Sequence, residues 1–200
     1  MTHLYEKLAE LLEYPGDDWG VLVEMCQRQV SAESTDFAPD FMAFYQKVGN
    51  LSLTELQELY TRTFDLNPVC TLEIGYHVFG ENYKRGLLLA HLRETESPWE
   101  LGQDRQLPDY LPVLLRLIVR LNDRELRESL ISELMIPAVN KMIEALGQTE
   151  NPYGDLLRMI KQVLALEAPE REERAVPAGW ERAGARPELY RISSPMAMKR

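Results

Sequence analysis

An all-α helical bundle is the fold class that the sequence predicts, and three observations carry it. Apolar residues recur at three- and four-residue spacings and nowhere alternate convincingly, which is helical rather than strand periodicity. Caps, prolines and glycines punctuate the chain at intervals of about one helix. No repeat of fixed period runs through it, so a closed bundle fits better than a solenoid. The reading comes to about nine helices in 200 residues, a length that suits a single domain.

The first stretch stops at Tyr14-Pro15-Gly16. Asp17 or Asp18 caps the next, whose buried stripe is Trp19, Leu22, Val23, Cys26 and Val30. Phe37, Phe41, Phe44, Tyr45 and Val48 form another stripe, ended by Gly49-Asn50. Ser52 and Glu55 have capping-box spacing ahead of Leu56, Leu59, Tyr60 and Phe64. Asn67-Pro68 interrupts the pattern, because proline disfavours the α conformation in the residue before it. A short helix from about Cys70 to Phe79 follows, then one from Asn82 towards Arg93 and a loop over 98–106. Pro108 and Asp109 read as the first turn of a helix that is apolar on most sides, with Arg116 and Arg120 as its polar edge. Such a helix belongs in the centre of a bundle. Asp123 caps a helix that passes Pro137 with a kink and ends at Gly147. Asn151-Pro152 then starts the last helix, with Tyr153, Leu156, Leu157, Ile160 and Leu164 inward.

These stripes define a helical domain over 1–166. From Glu167 to Arg200 the composition changes to Glu, Arg, Pro, Ala and Gly, which reads as a disordered, mobile tail carrying a possible docking patch at Trp180 and Leu189–Ile192. The whole chain carries a formal charge of −10 and the tail a net +1, leaving −11 on the helical domain. That charge opposes a nucleic-acid backbone and favours basic peptide surfaces. No apolar run approaches the ~18 residues that span a bilayer, so stable membrane insertion is not expected. The opening residues lack signal-peptide organisation, and a cytoplasmic location is the expectation. Cys26 and Cys70, without a CxxC or a His neighbour, read as buried thiols.

Catalytic signatures are missing. His3, His77 and His91 stand in no metal-ligand spacing, and no phosphate-binding loop, dinucleotide fingerprint or nucleophile elbow occurs. Neither an enzyme nor a cofactor or metal of its own is expected. Two segments exceed the needs of a plain bundle. One runs from Glu58 to Pro68 and on through Tyr76-His77-Val78-Phe79-Gly80. The other is Leu107-Pro108-Asp109-Tyr110-Leu111-Pro112, for which a helix-start carboxylate and a packed tyrosine are an adequate structural account.

The segments ELYTRTFDLNP, YHVFG, KRGLLLAHLRE, LPDYLPVLLRLI, IPAV and NPYGDLL, in this order, resemble the NarJ-type assembly chaperones, formerly called nitrate reductase delta subunits. The resemblance implies a cytoplasmic, non-catalytic chaperone. It would attend the catalytic subunit of a molybdoenzyme, through that subunit's N-terminal segment, until molybdenum cofactor and iron–sulfur clusters are inserted. The wider superfamily carries an acidic residue, a variable residue, Pro, Asp and His; here Pro108 and Asp109 match, while Gln106 and Tyr110 do not. On this basis the partner-binding residues are Tyr60, Arg62, Phe64, Asp65, Tyr76, His77, Phe79, Pro108, Asp109 and Tyr110. The runner-up is a twin-arginine signal-peptide proofreading chaperone for a dimethyl-sulfoxide-reductase-like enzyme. An enzyme using His77 or His91 would retain metal on purification, and a passive structural subunit would remain in the finished complex.

Overall fold

The computed structural model describes residues 2–33, 36–66, 70–147 and 150–168. Along them run α1 (Thr2–Leu11), α2 (Trp19–Glu33), α3 (Ala38–Val48), α4 (Leu53–Tyr60), α5 (Ile74–Phe79), α6 (Tyr83–Glu96), α7 (Leu111–Ile118), α8 (Arg124–Ser129), α9 (Ile136–Leu146) and α10 (Pro152–Glu167). A π segment, Thr61–Asp65, prolongs α4, and a second, Leu130–Met135, joins α8 to α9 as one rod. The described residues thus hold nine separate rods and no strand beyond an isolated antiparallel bridge between Glu73 and Tyr110.

Every residue of α7 except Arg116 is buried, as expected of a helix apolar on most sides. It packs against α1, α2 lies on α1 and α3, and α10 closes the bundle against α3 and α9. Phe41, Phe44, Tyr60, Phe64 and Tyr153 meet in this core as a run of edge and tilted ring contacts, the closest being Phe64 and Tyr153 at 4.7 Å between centroids. Both cysteines are buried and unbridged, with burial pushing each thiol up to about 12.

Three caps, at Ser52, Asp123 and Asn151, fall where the sequence places them. The Ser52 hydroxyl accepts from the Glu55 amide while the Glu55 carboxylate accepts from the Ser52 amide. Asp123 and Asn151 cap α8 and α10 through their side chains. The interruption at Pro137 is the second π segment. Proline cannot donate to the carbonyl four residues back and its ring crowds that carbonyl, so a wider turn just ahead of it relieves both. Gly147 ends α9 at a φ of +61°, a conformation that favours glycine.

Four boundaries differ from expectation. The helix expected from Cys70 starts only at Ile74: residues 71–73 run extended enough for Ile74 N–H to bond the Asp109 carbonyl and Leu111 N–H the Leu72 carbonyl. That bridge holds Tyr110 extended as the N-cap of α7, so Pro108 and Asp109 lie in the preceding turn and Pro112 is the first-turn proline. Asp109 therefore does not act as a helix-start carboxylate. The 98–106 loop contains a short 3-10 turn at Gln103–Arg105. Finally, α10 includes Glu167, whose carboxylate reaches Arg127 at 3.8 Å. The expectations for Asn67-Pro68 and for residues 169–200 lie outside the described residues.

Candidate functional site

A cleft of about 660 Å³ opens where the end of α1, the α4 π segment, the strand-like 71–73 stretch and the 102–106 turn converge. Tyr60 and Tyr110 form its floor. The Tyr60 hydroxyl lies 3.1 Å from that of Tyr110 and 3.2 Å from the Leu12 carbonyl, to which it donates. Burial raises both phenols, Tyr110 to about 12, so both remain protonated donors at neutral pH. Tyr14 stacks edge-on over Tyr60 at 5.4 Å and is itself 55% exposed.

The walls are acidic. Glu13, Asp65, Glu73 and Asp104 line the cleft, with Arg105 as the opposing charge. Burial raises the Glu73 carboxyl above the ordinary value, and the Asp109 carboxylate adds to this while Arg85 works against it. Leu66 and Leu107, exposed at 74% and 44%, follow the lining residues Asp65 and Gln106 in the chain. A cleft with acidic walls, an aromatic floor and the exposed Tyr14 ring suits a segment that carries basic and apolar side chains together.

Two arginines hold the walls. Arg116 Nη1 donates to Glu13 Oε1 at 2.7 Å and to the Leu101 carbonyl at 3.2 Å, joining opposite sides of the cleft from the central helix. Arg93 donates to the carbonyls of Gln103 and Gln106, each at 3.2 Å, and is itself paired with the buried Glu96 at 2.7 Å. The 3-10 turn is thus clamped from outside.

The ten residues singled out from sequence fall into separate groups. Tyr60, Phe64, Asp65 and Tyr110 share the cleft. Asp109, fully buried, lies behind the bridge, where Oδ2 accepts from Arg85 Nε at 2.9 Å. The Arg85 guanidinium stands 5.8 Å over the half-exposed Tyr76 ring, so Tyr76, Arg85 and Asp109 form one stack. Pro108 is buried in the same turn. His77 Nε2 contacts the Thr71 carbonyl at 2.8 Å, and burial lowers its pKa below the ordinary value. Phe79 packs partly buried on the core. Arg62 is exposed and faces a separate depression of about 440 Å³ with Thr63, Leu146 and Asn151.

Sequence reasoning did not select Tyr14, Glu73, Asp104, Arg85 or Arg93. Arg116 carried a signal, as an arginine on an otherwise apolar helix. Among the described residues no group of three His, Cys, Asp or Glu side chains could hold a metal ion, and no helix is long and apolar enough to cross a membrane.

No family model matches the chain. It is similar to the probable nitrate reductase molybdenum cofactor assembly chaperone NarJ of Bacillus subtilis, 26% identical over 169 residues that cover 80% of this chain and 87% of that protein. It is also similar to the probable nitrate reductase molybdenum cofactor assembly chaperone NarW of Escherichia coli K12, 28% identical over 154 residues, 76% of this chain and 64% of that one. The nitrate reductase molybdenum cofactor assembly chaperone NarJ of the same strain is 26% identical over 157 residues, again 76% of this chain and 66% of the relative.

Proposed function

We propose that this chain is an assembly chaperone for a molybdoenzyme of the nitrate reductase kind. It binds the N-terminal segment of the catalytic subunit in the acidic cleft and assists insertion of molybdenum cofactor and iron–sulfur clusters. The observation that carries this reading is the similarity to three nitrate reductase molybdenum cofactor assembly chaperones over three quarters or more of the chain. The cleft supports the placement, since Asp65, Glu73 and Asp104 complement a basic segment and Tyr14, Tyr60 and Tyr110 its apolar face.

The work of such a protein is binding and delay rather than bond-making. Occupying the N-terminal segment keeps the immature subunit from docking prematurely while its interior is still open to cofactor. The cofactor and clusters belong to the partner, and this chain contributes only the cleft and its charge. A segment that folds as it binds loses conformational freedom, so acidic walls that raise its encounter rate and an aromatic floor that buries its apolar face are complementary devices.

The test begins with the catalytic subunit that co-purifies with the chain from its native host. A synthetic peptide of that subunit's first ~20 residues, enough for about five helical turns, is titrated calorimetrically into the full chain. Saturable binding with a negative heat-capacity change is expected. No binding at high micromolar peptide, with the catalytic subunit lacking that segment still captured in full, overturns this placement of the interface.

A further inference from the structure

We propose that the C-terminal segment 182–200 of this chain docks in the chain's own acidic cleft and covers it until a partner segment displaces it. The proposal rests on the reading of the cleft as a peptide-binding site. Its first support is charge. Residues 182–200 carry Arg182, Arg186, Arg191, Lys199 and Arg200 against Glu188 alone, whereas 169–181 carry four glutamates and two arginines. The part nearest the bundle is thus repelled by an acidic body, and the distal part is attracted to it. The same distal part supplies Leu189, Tyr190, Ile192, Met196 and Met198 for the exposed Tyr14 ring and the aromatic floor beneath it.

The second support is position. The Tyr5 hydroxyl donates to the Val163 carbonyl, so the last turns of α10 lie beside the first turns of α1. The other end of α1 leads to the cleft floor, where the Leu12 carbonyl meets Tyr60. Tyr5 and Leu11 are about 9 Å apart along the helix. Residues 169–181 reach at most ~45 Å when extended, several times the distance required. Val21 and Met25 on α2, another exposed apolar pair, stand beside an ion pair of Glu24 and Arg28 and line neither of the two depressions described above.

A tethered segment acts at an effective concentration in the millimolar range. A local dissociation constant near ~0.1 mM then keeps the cleft about nine-tenths covered and weakens an external peptide about tenfold. Removing the segment's positive charge should return that factor.

The test uses the full chain with Ser194→Cys carrying a nitroxide, since the buried Cys26 and Cys70 resist labelling. Paramagnetic broadening is expected to concentrate on the amides of Tyr14, Asp65, Glu73 and Asp104, to spare Val21 and Met25, and to fall severalfold in R182E/R186E/R191E. A synthetic 182–200 peptide added to that charge-reversed chain should shift the same four amides. Uniform broadening, a centre on any other face, indifference to the charge reversal, or no shift at millimolar peptide each overturns the proposal. Broadening seen only between a nitroxide-bearing molecule and a separate isotope-marked one transfers the occupancy to a second copy and overturns it as well. None of these readouts needs the partner. A cleft that binds the catalytic-subunit peptide without ever receiving the tail sinks the docking alone, while docking without such peptide binding supports it and sinks the partner assignment.

Discussion

At the scale of single residues, the tightest constraint is the approach of Gly75 to Asp109. A Cβ at Gly75 would sit 2.6 Å from Asp109 Oδ2, an atom that is fully buried and tied to Arg85, so it cannot swing aside. Gly75→Ala is therefore expected to cost ~1–3 kcal/mol through overpacking. In a denaturant-melt cycle, adding Asp109→Ala should cost less than the two single losses together. Glu73 gives a pH-dependent prediction. Burial raises its folded pKa above the unfolded value of 4.5, so its ionised form opposes folding. As pH falls through the raised value towards 4.5, the folded state takes up the proton first and that opposition disappears. Glu73→Gln should thus be neutral to stabilising at pH 7, with its advantage shrinking towards pH 5 in paired melts. Asp109 was legible as a special residue but not as a buried one, because burial of a carboxylate depends on Arg85, 24 positions away in the chain.

Elements were the most legible scale. Capping is a contact between near neighbours, so Ser52 with Glu55, Asp123 and Asn151 could all be read directly. The start of α7 was not. Both Pro108 and Pro112 satisfy the preference for proline in a first turn, and the choice was made by the bridge to residues 72–74. Asn151 also does more than its local role: its Nδ2 donates to Thr63 Oγ1 at 2.8 Å, fastening the start of α10 to the π segment beside the cleft. Asn151→Ala should lose ~0.5–2 kcal/mol for the cap and up to ~1.5 kcal/mol more for the hydrogen bond. Amide exchange over 61–66 should accelerate in that variant and stay unchanged in Ser52→Ala, whose cap touches only its own helix.

For the whole molecule, charge and core act at different ranges. Among the described residues, the apolar core closes with Val163 and Leu164, and partly buried Ala168 is the last one packed on it. A chain ending at 168 is therefore expected to unfold in one cooperative transition close to that of the full chain, which thermal melts followed by circular dichroism would check. The acidic excess, by contrast, governs encounter. Raising salt from 0.05 to 0.5 M should slow association with a basic peptide several-fold and weaken its affinity less, because screening acts on exposed carboxylates and leaves apolar contacts in place. Stopped-flow rates beside equilibrium titrations separate the two.

The sequence by itself determined the helical class, the number of rods, most caps, the central place of α7 and the acidic balance. Each of these follows from periodicity, from contacts between residues a few positions apart, or from composition. Only the tertiary structure decided which candidates meet. It gathered Tyr60, Phe64, Asp65 and Tyr110 with the unforeseen Tyr14, Glu73 and Asp104, buried Asp109 behind them and turned Arg62 to another face. The reason is that a cleft is made by elements distant in sequence, here clamped by Arg116 and Arg93, and helical periodicity states which face of each helix is inward but not which neighbour it faces.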